Sequence, residues 1–344
     1  MDPVIACLRA ISSGLKLSPD EVERAIGSLL DGEISEVVTS AFLTALRIKG
    51  ETADELEGAV RAVRSRMIRW ESGVAPGRLL DTCGTGGDGA GTVNISTAAA
   101  IVVAACGVPV VKHGNRAATG NSGSSDVLAA LGVSADPGPE VLSQCLAELN
   151  IAFLFAPRFH PGLKPVATVR RQLPFRTLFN LVGPLCNPAC PAYQLVGTPD
   201  AAQADLLATV LARLEHVRRA AVVSGADGLD EVTLDGPTWV RVVESDKVRL
   251  ETWHPDDFGL KACHAAELRV HGPEDSAERI RRTFDGEPGS VRDYVLANSA
   301  AALWVTGQSS LREGVSRAAM AIDSGAAARL LAQWSVVSRQ DVGA

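Results

Sequence analysis

Residues 81–89 read DTCGTGGDG and follow the apolar pair Leu79-Leu80 directly. Four glycines (84, 86, 87 and 89) crowd the end of a short strand and leave little room for regular structure. Such a loop lets backbone N–H groups close on a phosphate. An apolar helix follows, Thr97 to Cys106, with Ser96 as its natural N-cap, and then a second strand, Val108 to Val111. Strand, loop, helix and strand make a βαβ unit. That implies a mainly parallel sheet, with phosphate expected at the helix N-terminus.

The run Gly84-Thr85-Gly86-Gly87-Asp88-Gly89 also satisfies G-x-G-x-x-G, the fingerprint of a dinucleotide-binding turn. That reading demands an acidic residue about 20 positions on, to hold the ribose hydroxyls. Lys112-His113 stand there instead, the opposite chemistry. Asp88 would repel a pyrophosphate unless a metal or a sugar hydroxyl lay between them. No Gly-Lys-Ser/Thr closes the loop, so the Walker pattern fails as well. The second strand runs into KHGNRAATGNSGSSD (112–126), rich in glycine, hydroxyls and amides, with the cations Lys112 and Arg116. Two successive strand-end loops of this type form one anion-binding rim at the carboxyl edge of the sheet.

Upstream, the pattern is helical. Ser18-Pro19-Asp20-Glu21 and Thr52-Ala53-Asp54-Glu55 are capping boxes, and Ser35 opens a third amphipathic helix between them. With no strand signal among them, residues 1–71 read as a helical domain. ESGVAPG (71–77) is the connector, and 76–344 read as an α/β domain. Further strands are expected at 152–155, 194–196, 220–224 and 240–244. Helices are expected at 125–131, 139–149, 201–214, 277–284 and 291–305, with the last ones between Leu311 and Trp334. A net charge of −7 argues against nucleic acid as the main partner but leaves room for a local anion site. The longest apolar run, Ala98 to Cys106, is too short to span a bilayer. The start of the chain lacks a secretory pattern, so a cytoplasmic protein with no membrane partner is expected. Seven scattered cysteines then read as reduced thiols, and Cys186 and Cys190 lack a second pair at zinc spacing.

Five ordered motifs resemble the anthranilate phosphoribosyltransferase family: GTGGDGAGTVNIST (84–97), KHGNR (112–116), FAPRFHPGLKPV (155–166), RTLFNLVGPLCNPA (176–189) and GLDE (228–231). The likeness extends to RDYVLANSAAAL (292–303) and so covers nearly the whole chain. It implies a small N-terminal helical domain joined to a large α/β domain with a mainly parallel central sheet and flanking helices. A mid-chain helical piece around 170–190 would join the small domain, and two copies would pair through it as a homodimer. The implied reaction moves the 5-phosphoribosyl group of phosphoribosyl pyrophosphate (PRPP) to the amine of anthranilate, in tryptophan biosynthesis. The implied donor residues are Gly84, Gly87, Asp88, Thr92, Asn94, Ile95, Ser96, Thr97, Lys112, His113, Gly114, Asn115, Arg116, Ala117, Ala118, Thr119, Gly120 and Ser124. Thr97 and Lys112 would be direct donors to the diphosphate. Gly84, Asn115 and Arg170 would meet anthranilate. Ser96, Asp230 and Glu231 would ligate Mg²⁺, and adjacent carboxylates suit a hard cation that keeps some of its waters.

No general base is assigned, because the anilinic amine is already neutral at pH 7. His113 and His160 read equally well as packing or orienting groups. Read alone, Arg170, Arg171 and Arg176 are all surface ion-pair residues, and Asp230-Glu231 an acidic turn. The chain departs from the family at Leu173-Pro174-Phe175, at Gly162-Leu163 and at Ala129, around or behind the acceptor channel. Two other readings stand at this point. One is a pyrimidine nucleoside phosphorylase, which would carry a Ser-Gly-Arg-Gly-type second loop. The other is a non-catalytic nucleic-acid-binding relative, which would carry a basic surface. A different aromatic amine as acceptor also stays open.

Overall fold

The computed structural model describes residues 2–116 and 122–340. Four helices come first: α1 (Pro3–Ser12), α2 (Pro19–Leu30), α3 (Glu36–Lys49) and α4 (Ala53–Arg64). Both expected capping boxes form, with Glu21 and Glu55 returning a bond to the backbone N–H of Ser18 and Thr52. Glu55 is fully buried and also accepts from Leu17 N–H at 3.1 Å and Lys49 Nζ at 2.7 Å, so its charge is paired where it is hidden.

The α/β part begins with β1 (Leu80–Asp81), α5 (Ile95–Ala105), β2 (Val110–Gly114), α6 (Ser124–Leu131), α7 (Pro139–Leu149) and β3 (Ile151–Phe155). A helical excursion follows: α8 (Ala156–Phe159), α9 (Lys164–Gln172) and α10 (Leu178–Val182). The chain then returns to the sheet through β4 (Tyr193–Gly197), α11 (Ala201–Arg213), β5 (Arg219–Gly225), β6 (Thr238–Glu244) and β7 (Lys247–Trp253). It ends in α12 (Pro255–Phe258), α13 (Pro273–Phe284), α14 (Ser290–Val305), α15 (Leu311–Asp323) and α16 (Ala326–Val337).

The seven strands lie in the order β3-β2-β1-β4-β5-β6-β7. Pairing is parallel from β3 to β5 and antiparallel from β5 to β7, so the sheet is mainly parallel as expected. Strand residues alternate between two cores, as the two-residue period requires. Ala221 and Val223 of β5 pack with α5, α13, α14 and α16, whereas Ala220 and Val222 face α2, α4, α10 and α11. A strand buried on both faces has no polar side, which is why β5 reads as the apolar run AAVV. α9 and α10 pack on α2, α3 and α4, so the mid-chain excursion shares the core of the N-terminal helices.

Three expectations need correction. The helix after the glycine loop starts at Ile95, so Ser96 is inside it and Asn94 takes the cap position. The Ser96 hydroxyl accepts from Lys112 Nζ at 3.2 Å instead of capping. β2 runs on through Lys112, His113 and Gly114, which pair with Phe153, Leu154 and Phe155 of β3; they are strand, not loop. β7 was not anticipated. Its sequence KVRLETW is charged at alternate positions because β7 is a mostly exposed edge strand.

Candidate active site

The carboxyl ends of β1, β2, β4 and β5 open into one cleft of about 440 Å³. The glycine loop forms one wall, held to β4 by Thr85 N–H donating to Gly197 O at 2.8 Å. Its glycines 86, 87, 89 and 91 all take positive φ, between 61° and 74°, where a side chain would strain the backbone. Asn115, Arg116, Ser122, Gly123 and Ser124 line the opposite wall, which is tied to the first through Asn94. The Asn94 amide donates to Ser122 O at 3.2 Å, and its oxygen accepts from Ser122 Oγ at 2.8 Å and Ser276 Oγ at 2.9 Å. Asn94 is therefore a clamp between loops, with its amide already bonded.

The floor carries the charge. Glu231 Oε1 accepts from the Ser96 backbone N–H at 3.0 Å and so sits at the N-terminus of α5, where the helix dipole favours an anion. Asp230 lies beside it, hydrogen-bonded to Asp88 and receiving the Gly86 N–H. Burial holds both floor carboxyls well above the ordinary carboxylate range, and the neighbouring acids push the same way: Asp88 on Asp230, Asp230 on Glu231. Lys112 opposes this for Glu231, but its ammonium is buried and bonded to Thr82 O at 2.8 Å as well as to Ser96. Lys112 thus braces the floor more than it projects into the cleft.

No group of three His, Cys, Asp or Glu forms a ready-made metal cage among the described residues. The donor set nonetheless fits Mg²⁺. Asp88, Asp230, Glu231 and the Ser96 hydroxyl are all hard oxygen ligands on one floor, and their mutual repulsion is what a divalent cation relieves. Such a site would be completed by water and by substrate oxygens.

On the far side, Arg170 projects from α9 with its guanidinium 5.2 Å from the Phe179 ring centroid. Burial lowers its pKa, and it has no carboxylate partner among the described residues, an arrangement that suits an incoming anion. His113 and His160 lie beneath. Gly183 O must accept from Nδ1 of His113 at 3.1 Å, so the neutral ring offers its Nε2 lone pair to His160 Nε2–H at 3.2 Å. Burial lowers both, His113 to about 3 and His160 to about 4, so the pair is neutral and internally bonded.

Most of the residues singled out in sequence meet here. Gly84, Gly87, Asp88, Thr92, Asn94, Ser96, Lys112, His113, Gly114, Asn115, Arg116, Ser124, Arg170, Asp230 and Glu231 all line the cleft. Ile95 and Thr97 are not among the lining residues. Their side chains turn inward from the first turn of α5, each about 1 % exposed, because that face of the helix feeds the core. Ala117, Ala118, Thr119 and Gly120 lie outside the described residues. The wall also contains Phe179, Asn180 and Arg176, which sequence reading passed over or placed on the surface. The signal available was their position inside RTLFNLVGPL, a motif already set apart.

Comparison with known proteins gives the same picture. Residues 5–67 match the helical bundle domain of the glycosyl transferase family, and 76–328 match its a/b domain. The anthranilate phosphoribosyltransferase of Methylobacterium radiotolerans is 47% identical over 97% of this chain and 96% of its own. The crystal structure of the enzyme of that name from Thermus thermophilus superposes with a TM-score of 0.89 at 38% identity, covering 99% of this chain and 100% of that one. The Saccharomyces cerevisiae protein of that name, in complex with PRPP and Mg, gives 0.88 at 27% identity over 97% of each chain. In complex with 4-fluoroanthranilate it gives 0.87 at 26% identity, again over 97% of each chain.

Proposed function

The chain belongs to the anthranilate phosphoribosyltransferase family, and from that premise we propose how its own residues transfer the 5-phosphoribosyl group of PRPP to the amine of anthranilate, with release of pyrophosphate. The observation that carries this reading is a single cleft with two complementary halves. An acid floor under paired glycine-rich loops suits a metal-bound diphosphate, and Arg170 beside Phe179, with no carboxylate partner among the described residues, suits an aromatic carboxylate. Breaking the bond from the anomeric carbon to the diphosphate builds positive charge on the sugar and negative charge on the leaving group. Catalysis there depends on stabilising those charges more than on a strong nucleophile.

Asp88, Asp230, Glu231 and Ser96 would hold Mg²⁺, which when bound neutralises the departing diphosphate. The glycine-loop N–H groups orient the phosphates, and Asn94 with Ser122 keeps the second loop against them. Arg170 fixes the anthranilate carboxylate, which presents the amine to the anomeric carbon. His113 and His160 hold the acceptor floor in place, since each is already bonded and neutral. The amine needs no base before it attacks, and its proton can pass to water afterwards.

The same reading takes residues 1–71, with the mid-chain piece around 170–190, as the helical unit, and 76–344 as the α/β unit. It also takes the enzyme as a cytoplasmic homodimer without nucleic-acid partners. Val37 and Ile48 on α3, about four-fifths exposed, support pairing through the helical unit.

The test is anthranilate fluorescence followed after PRPP is added. It should fall with Mg²⁺ present and stay constant with chelator, and Asp230→Asn with Glu231→Gln should raise the Mg²⁺ requirement at least about tenfold. No turnover at any metal concentration would refute the reading.

A further inference from the structure

We propose that Arg176 is a positioning residue that couples the donor half of the cleft to the acceptor half, so that a diphosphate held by the glycine loop tightens the binding of anthranilate. The proposal rests on the reading of the two halves given above. Arg176 sits in the short link between α9 and α10, five residues that no helix includes. Those two helices carry the acceptor side chains, Arg170 on α9 and Phe179 on α10. Both are rooted in the core of the N-terminal helices through Val166, Val169, Leu178 and Leu181.

From that link the Arg176 side chain crosses the cleft. Nη2 donates to Thr85 O at 2.8 Å, and Nη1 donates to Gly86 O. The guanidinium also lies close to Gly87. A Cβ at that position would meet Nη1 and Cζ of Arg176, which would have to shift, and the φ of +74° favours glycine there independently. Burial disfavours the charge of Arg176, and Asp230 and Asp88 favour it. Its Nε–H has no partner among the described residues. The arginine is therefore neither an exposed ion-pair residue nor fully satisfied.

One side chain thus spans two bodies that must act together. The Thr85–Gly86 carbonyls can serve Arg176 only while the loop keeps its conformation, and the link can hold α9 and α10 in register only while Arg176 is anchored. A ligand that orders the glycine loop fixes the anchor, and the anchor fixes Arg170 and Phe179. By linkage the effect is reciprocal: anthranilate must tighten the diphosphate by the same factor.

The experiment first measures turnover of the wild-type chain, then titrates anthranilate with and without Mg²⁺-pyrophosphate, a donor fragment that cannot react with it. Wild type should bind anthranilate at least about fivefold more tightly when pyrophosphate is present. In Arg176→Gln that factor should fall to near one, and anthranilate affinity without pyrophosphate should be no higher than that of wild type. Arg176→Lys should fall between them, because an ammonium lacks the two-pronged fork that meets both carbonyls. If either variant loses pyrophosphate affinity but keeps the wild-type factor, Arg176 is a direct diphosphate ligand and the proposal is wrong. A wild-type factor of one overturns it too. Absence of wild-type turnover would instead refute the functional reading, which keeps the two failures apart.

Discussion

His113 and His160 show how much a single buried contact decides. Their rings meet at 3.2 Å through Nε2, and Gly183 O fixes which nitrogen of His113 carries the proton. A proton added to His113 would set N–H against N–H, so the neutral pair is part of the fold. Burial lowers the pKa of His160 from 6.5 to about 4. A base depressed in the folded state contributes stability above its unfolded pKa and loses it as pH falls toward the folded value. Between pH 7 and pH 5, His160 alone should remove about 2 kcal/mol. Asp81, raised to about 6 by burial, acts in the opposite sense but is common to wild type and variant. Chemical denaturation of wild type and His160→Gln should therefore show a stability gap that narrows by about that amount at pH 5. A gap independent of pH would mean that His160 is charged or solvated in the native state.

At the scale of elements, the site depends on how closely β4 approaches the turn after β5. A Cβ on Gly197 would stand 1.7 Å from Asp230 O, a backbone atom with nowhere to move unless the turn shifts. Gly197→Ala should displace Asp230 and Glu231 together. The expected result is a loss of about 1–3 kcal/mol of stability and a Mg²⁺ requirement raised at least about tenfold, read from denaturation and from a metal titration of turnover. Unchanged metal dependence would show that the floor does not need this register.

The strands and helices that build that floor were legible in sequence, because β5 and α5 are long apolar runs and the capping boxes at Ser18 and Thr52 announce their helices. β7 was not legible, since an exposed edge strand with alternating charge carries no core signal. The α5 boundary differs from its expected place for a physical reason. Ser96 is a good capping residue by type, but Lys112, sixteen positions away, claims its hydroxyl. Position along the chain could not reveal that Thr97 turns inward while Ser96 faces the cleft.

On the scale of the whole molecule, function comes from setting a helical unit against a sheet edge. The donor half of the cleft could be read from sequence, because glycine, hydroxyl and acidic residues cluster in three short motifs. The acceptor half could not be read so fully. Phe179 and Arg176 reach it only after α9 and α10 fold back on α2, α3 and α4, a long-range packing that no local pattern encodes. The earlier rivals separate at this scale as well. The second loop leaves the strand residues Lys112, His113 and Gly114 through Asn115 and Arg116, and the acid floor of GLDE is complete, which a degraded binding relative would not be expected to keep.

The central claim is that the paired loops grip the diphosphate of PRPP through a metal on the acid floor. Isothermal calorimetry of the full chain with PRPP tests it most directly. One binding event per chain should appear with Mg²⁺ and vanish when the metal is chelated. Absence of heat from PRPP at any Mg²⁺ concentration, with tight binding of NADH to the same protein, would contradict it.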